Sequence, residues 1–360
     1  MLHVSRRILA LAIAAFVFPI LAQQAVAQTE PGNSAKQIRE GSFVLIGGIE
    51  QWITIKGDAR DNPVVLFLHG GPGDAESGYA DALYSGWEKT FTLVQWDQRG
   101  AGRTYGKNGP TGAPNMTVER MTDDGIEVAQ YLLKHLHKNK IIIVGTSWGS
   151  VLGISMAHLR PDLFYAYVGV AQVVNWRKQD VAGYSRVLEL ARDAGDQHAI
   201  AALTAIGPPP WDSILVWPKY RKWERVYQKK IATAPTANYT LSPAYASKQE
   251  QAQYAAADEF SFEHFWGLKM DGPAQDVDLS SMGTNFAIPI FILQGQEDLS
   301  AAPALAKAYF DSITAPRKEF YLMPGTGHTP SMPELDELQK ILLQYVRPYV
   351  SVLIGQKPTY

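Results

Sequence analysis

Residues 141–149 read Ile-Ile-Ile-Val-Gly-Thr-Ser-Trp-Gly. Four apolar, mostly β-branched residues are the mark of a buried strand. They run straight into Gly145-Thr146-Ser147-Trp148-Gly149, and a helix-like run follows at Val151–Leu159. A G-x-S-x-G turn between a strand and a helix strains the serine backbone and lifts its hydroxyl clear of the sheet. Gly145 and Gly149 omit side chains that would collide where strand and helix nearly touch. The first backbone N–H after the serine lies at a helix N-terminus, where negative charge is favoured. Five residues thus specify a nucleophile, Ser147, and half of an oxyanion hole, the N–H of Trp148.

Outward from this turn, strands and helices alternate. Ser42–Ile46 and Ile49–Ile55 read as a hairpin around Gly47-Gly48, after a loose polar lead-in from Gln28 to Arg39. Val64–Leu68 is a continuous apolar run ending in His69-Gly70-Gly71-Pro72-Gly73. Phe91–Trp96 is another, ending in Asp97-Gln98-Arg99-Gly100-Ala101-Gly102-Arg103. A loop at Lys107–Asn115 leads to a helix carrying Val118, Met121, Ile126, Ala129, Leu132, Leu133 and Leu136 at helical spacing. Further strands fall at Tyr167–Ala171, Pro289–Gln294 and Glu319–Met323, with helices around Pro303–Phe310 and Glu334–Tyr349. This rhythm predicts a mostly parallel eight-stranded sheet with helices on both faces.

Between Val174 and Asn285 the strand rhythm stops. That stretch is helical in character and holds five of the nine tryptophans: Trp176, Trp211, Trp217, Trp223 and Trp266. It reads as an inserted helical cap over the mouth of the site. The expected division is therefore a first core part at 28–173, a cap at 174–285 and a second core part at 286–360.

Composition narrows the function. The chain has 360 residues, a formal charge of -2 and no cysteine. Near-neutral balance gives no reason to expect nucleic acid as a partner. The missing cysteine excludes disulfides, thiol catalysis and Cys-zinc sites, and no paired histidines stand at zinc spacing. Arg6 and Arg7, the apolar run Ile8–Ala22 interrupted by Pro19, and Ala25-Val26-Ala27 have the layout of a secretory signal at 1–27. The expectation is cleavage before Gln28, a periplasmic or secreted protein, and no lasting membrane association.

A serine hydroxyl needs a base beside it. Of eight histidines, His3 lies in the signal, His135 and His137 at a helix end, His158 and His198 in helical contexts and His264 in the cap, while His69 opens the glycine loop. His328 stands after a strand in Met323-Pro324-Gly325-Thr326-Gly327-His328, where an open α/β sheet puts its site. The base needs a carboxylate to hold its tautomer. Strand 289–294 runs into Gly295-Gln296-Glu297-Asp298, in the expected order of serine, acid and histidine, and Asp298 is preferred over Glu297 because the shorter side chain after a glycine turn matches the usual acid of such a sheet. A second oxyanion donor should come from the loop after Val64–Leu68. Gly71 is preferred and Gly70 is the alternative, since neither has a Cβ to block the approach. Asp97, Arg99 and Arg103 read as residues that tie loops together, with Asp97 kept as a weak site candidate.

With these motifs in hand, the chain resembles the prolyl iminopeptidase (proline iminopeptidase) family of α/β-hydrolases. The matching stretches are His69–Gly73, Trp96–Thr104, Gly145–Ser150, Gly295–Asp298 and Gly325–His328. The resemblance implies a cofactor-free serine peptidase that removes an N-terminal residue, often proline, from small peptides, with Ser147, Asp298 and His328 as its triad. Thr146, Ala101 and Thr104 stand where that family usually has Gly, Cys and Ser, and the acid motif reads Gly-Gln-Glu-Asp rather than a GRxD pattern. Amine specificity in such enzymes rests on cap glutamates, and Glu224 and Glu263 are the candidates here. An exported esterase or amidase acting on small, partly aromatic molecules is the alternative, and a silent hydrolase-like binding protein is a third reading. The sequence leaves the oligomeric state open.

Overall fold

Strand β5 (Ile141–Thr146) lies inside the sheet, and its first five residues are buried because both sheet faces are covered. The computed structural model describes residues 37–113 and 116–350. The proposed signal at 1–27 lies outside them. Seven more strands accompany β5: β1 (Ile38–Ile46), β2 (Ile49–Gly57), β3 (Val64–Leu68), β4 (Thr92–Asp97), β6 (Phe164–Val170), β7 (Ile290–Gly295) and β8 (Lys318–Met323). Their order is β1-β2-β4-β3-β5-β6-β7-β8. The β1–β2 and β2–β4 pairs are antiparallel, and every pair from β4 to β8 is parallel.

The helices are α1 (Ala80–Leu83), α2 (Gly102–Asn108), α3 (Val118–Leu136), α4 (Trp148–Leu159), α5 (Trp176–Asp193), α6 (Gln197–Ile206), α7 (Trp217–Ile231), α8 (Lys248–Trp266), α9 (Pro303–Ser312) and α10 (Met332–Ile341). Thr117 caps α3 by accepting from the Arg120 N–H, and Met121, Val128, Ala129 and Leu132 turn inward. Apolar residues of α3 and α4 pack on one sheet face, with Ile143 and Trp96. Those of α10 pack on the other, with Val144 and Phe291. Helices on both sides of a parallel sheet are what continuous apolar strands require. Between β6 and β7 the described chain forms helices α5–α8 and short 3-10 turns. A separate cluster of Tyr184, Val187, Leu203, Tyr220, Trp223 and Tyr227 gives these helices their own core.

Two details differ from the sequence reading. Ile38 and Arg39 are not lead-in: they pair with Gly57 and Lys56 at the start of β1, and Ile38 is buried. Part of the expected loop at 107–115 is ordered as the end of α2 and a 3-10 turn at Pro110–Gly112. The glycines of this stretch hid a helix that α8 holds in place, through a hydrogen bond from Gln253 to the Gly102 carbonyl.

The charges at the end of β4 are structural ties. Arg99 donates to both carboxylate oxygens of the buried Asp124 and to the Gly47 carbonyl, fixing the β1–β2 hairpin on α3. Asp97 accepts from the Arg103 N–H at 2.8 Å and from the Tyr254 hydroxyl at 3.2 Å, and so joins α2 to α8. Burial pushes its carboxyl up to about 6.

Candidate active site

Ser147 sits between β5 and α4 with φ 52° and ψ -117°, a strained conformation for a residue with a side chain. The strain is imposed by crowding. A Cβ on Gly145 would lie 2.3 Å from the Gly149 carbonyl oxygen, and one on Gly149 would lie 1.9 Å from that of Leu68. The expected collision is therefore real on both sides of the serine. The Ser147 N–H donates to Val170 O at 3.0 Å, which ties the turn to the end of β6.

The Ser147 hydroxyl donates to His328 Nε2 across 3.0 Å. His328 Nδ1 then donates to both oxygens of Asp298 at 3.0 Å. Asp298 is buried and its oxygens are well supplied with donors. Oδ1 accepts from the N–H groups of Ser300 and Ala301 at 2.8 Å, and Oδ2 accepts from Gln294 Nε2 at 3.2 Å. Burial alone would push the His328 imidazole down. The negative charge of Asp298 and the hydrogen bond to it outweigh burial, and the net shift is upward from the ordinary 6.5. Glu297 joins the neighbouring loops through its backbone: its N–H donates to Thr326 O and its carbonyl accepts from Gln228.

His69 has a different role. Its Nδ1 donates to Gly70 O at 2.8 Å, and its Nε2 accepts from the Gln98 N–H at 3.1 Å. Burial holds it down to about 4, so it stays neutral and fastens the glycine loop to the end of β4. A Cβ on Gly70 would lie 3.4 Å from the Ser147 Cβ, so this loop passes directly over the serine. Gly71 follows at φ 105°, where a side chain would be strained. The Trp148 indole is buried away from the opening, with its Nε1 donating to Gln98, which leaves only its backbone for the site.

Ser147 and His328 open into a cavity of about 770 Å³. Its roof carries Trp176, Trp217, Phe262 and Trp266. These rings contact one another, with centroids 4.6 Å apart for Trp217–Phe262 and 5.0 Å for Trp176–Trp266. Trp211 and Trp223, the other cap tryptophans, belong to the cap's own packing. A second wall is acidic: Asp74 and Glu76 follow the glycine loop, while Asp258 and Glu259 come from α8. Burial and the charge of Asp74 raise Glu76 to about 8, and the same two causes raise Asp258 to about 6 against the pull of Arg225. Arg221 and Arg225 of α7 face the same space.

The two cap glutamates expected to meet an amine are elsewhere. Glu224 is buried behind the cavity wall, where its carboxylate binds the Arg221 guanidinium and the Ser300 hydroxyl. Glu263 faces solvent and does not line the cavity. The reason is helix phase. Asp258, Glu259, Phe262 and Trp266 line the cavity from one side of α8, and Glu263 falls off it. The acids that do line the cavity were not singled out in the sequence. Asp74 and Glu76 offered a signal, since they directly follow the glycine loop.

A fold and site of this kind define a class, and the chain belongs to it: residues 63–335 match the family model for the alpha/beta hydrolase fold. Within that class it is similar to the probable aminopeptidase YbaC of Bacillus subtilis (strain 168), at 30% identity over 84% of this chain and 94% of the relative. It is also 22% identical to a proline iminopeptidase of Lactobacillus helveticus (strain DPC 4571), over 86% of this chain and 98% of the relative. Among solved structures, the proline iminopeptidase of Mycobacterium smegmatis superposes with a TM-score of 0.62 at 19% identity, covering 87% of this chain and 100% of that one. An esterase from Exiguobacterium antarcticum shares the fold at a TM-score of 0.52 and 16% identity, covering 86% and 100%.

Proposed function

We infer that the protein is a serine hydrolase acting through an acyl-enzyme, and that it releases an N-terminal residue, proline-type, from short peptides. The observation that carries this is the unbroken row of hydrogen bonds from Ser147 through His328 to Asp298 at the floor of the cavity. Ser147 Oγ attacks the scissile carbonyl carbon while His328 Nε2 takes its proton. The carbonyl electron pair moves onto oxygen, where the N–H groups of Trp148 and Gly71 receive it, with Gly70 as the alternative second donor. Collapse expels the amine, which leaves with the proton from His328. Water then repeats the sequence on the ester, and Ser147 regains its proton. Asp298 stays ionised and steadies the imidazolium.

The acidic wall supports the amine end of this reading. Asp74, Glu76, Asp258 and Glu259 crowd together, and an ammonium entering among them would relieve their mutual repulsion and offset its own lost hydration. The tryptophan wall favours a second reading, an esterase or amidase for small aromatic molecules, because it supplies apolar area without demanding charge. A fluorophosphonate label mapped by mass should fall on Ser147 and vanish in Ser147→Ala. Pro- and Ala-anilides should then be cleaved far faster than their acetyl-blocked forms. Equal rates, or a preference for short p-nitrophenyl esters, would move the assignment to the second reading. Export rests on the Arg6–Arg7 and Ile8–Ala22 pattern, and cell fractionation with N-terminal sequencing tests cleavage before Gln28.

A further inference from the structure

Helix α7 belongs to the cap, yet its last turn reaches past the cavity to the loops that carry the acid and the histidine. Gln228 Nε2 donates to the Glu297 carbonyl at 2.6 Å. Gln228 Oε1 accepts from the Leu299 N–H at 3.0 Å. Those two backbone groups flank Asp298 on either side. One amide therefore holds the acid loop much as a neighbouring strand would, filling a donor and an acceptor two residues apart.

The same side chain presses on the histidine loop. A Cβ on Gly327, the residue before His328, would sit 2.5 Å from Gln228 Nε2. The chain leaving α7 continues the grip, as the N–H groups of Thr233 and Ala234 donate to Gly325 O at 2.9 and 3.0 Å. The two loops also touch directly, through Glu297 N to Thr326 O at 2.9 Å. Gln294, Ser300 and Ala301 orient the Asp298 carboxylate within its own loop. From the cap side, the Gln228 side chain touches both loops at once.

We propose that Gln228 is a positioning residue, which keeps the Asp298 loop in register with the His328 loop from the cap side. This rests on the triad reading above. Gln228 does not line the cavity, so it acts through Asp298 and His328 and not on substrate. The role needs an amide. A carboxylate of equal length would accept from Leu299 but would face the Glu297 carbonyl with no proton to donate. A thioether would fill the space and make neither bond. A misplacement of about 1 Å in a catalytic group costs about 100-fold in rate.

The test uses the full mature chain as wild type, Gln228→Met and Gln228→Glu. Three quantities are measured: the rate of fluorophosphonate labelling at Ser147, kcat and KM on the best anilide, and the downfield proton resonance of His328 Nδ1–H. Both variants should label and turn over about 10- to 100-fold more slowly with KM little changed, and should lose or broaden the Nδ1 proton signal. Melting temperatures taken alongside identify any variant that is unfolded at assay temperature, and Gln228→Met, which keeps the packing, is the one designed to stay folded. Wild-type labelling and an intact Nδ1 signal in both variants would overturn the proposal. Failure of the triad reading looks different, because wild-type Ser147 would then take no label. The Nδ1 signal needs no turnover and still decides for or against Gln228.

Discussion

The floor and the roof of the cavity are built on different principles. The floor is fixed by backbone. Ser147, Asp298 and His328 each stand in a short glycine-bearing turn at the C-terminal end of a parallel strand. A Cβ at Gly145, Gly149 or Gly295 would collide with main-chain oxygen at 2.4 Å or less, so the turns have little freedom. The roof is fixed by side chains. Helices α5, α7 and α8 bring tryptophans, acids and arginines together from residues 176 to 266, and these side chains line the cavity. Under the proposed function, the difference would separate chemistry from selectivity. Changes in the floor should abolish reaction with every substrate, and changes in the roof should redistribute preference among substrates.

The largest effect tests the floor. Asp298→Asn keeps the hydrogen-bonding shape but favours the wrong imidazole tautomer, and kcat should drop by about 10⁴-fold for every substrate in the panel. A loss confined to amine substrates would erase the distinction between floor and roof. Next comes Gly149→Ala. Its Cβ would lie 1.9 Å from Leu68 O, and backbone cannot move aside as a flexible side chain would. The expected cost is on the order of 4 kcal/mol, read as a large fall in melting temperature or as insoluble protein.

The same contrast explains what could be read from sequence. Each triad residue followed an apolar run within a few positions, so strand, turn and side chain were written in one contiguous stretch. The sheet, its helices and the triad spacing were legible for that reason. The acidic wall of the cavity was not. Glu263 and Glu259 lie one helical turn apart on α8, and polar residues are spread around much of that helix, so its sequence does not announce the inward face. Glu224 beside Trp223 looked like a pocket residue, but its carboxylate is taken by Arg221 and Ser300. Gln228 carried no motif at all, because its partners are main-chain groups roughly seventy residues further along the chain.

The roof is tested by the acidic wall. Asp74→Asn and Asp258→Asn each remove a charge from the cavity lining. A charge-assisted hydrogen bond is worth about 1.5–3 kcal/mol, so KM for free-amine substrates should rise about 10- to 100-fold, while blocked esters are spared. Equal losses on both substrate types would place these acids in the floor's machinery. A gentler probe is pH. The imidazolium of His328 cannot take the Ser147 proton, so kcat/KM should fall as pH drops through a value above the ordinary 6.5. Glu224 raises that value and Arg221 lowers it. Glu224→Gln should therefore move the acid limb to lower pH, and a limb that stays in position would show that α7 does not sense the histidine electrostatically.

The smallest expected effect is the most discriminating for the roof. Glu263 is one turn beyond Glu259 on α8, yet it faces solvent outside the cavity. Glu263→Gln should leave kcat and KM unchanged and shift stability by no more than about 0.5 kcal/mol. Glu259→Gln, four residues earlier and inside the cavity, should raise KM for free-amine substrates alone. The pair reads the rotation of α8 in solution, since one turn of helix carries both side chains to nearly the same face and only a small angle separates the cavity lining from the surface beside it. If Glu263→Gln weakened amine substrates and Glu259→Gln did not, α8 would have to rotate when substrate binds. The tryptophan wall would then turn with it, because Phe262 and Trp266 ride on the same helix.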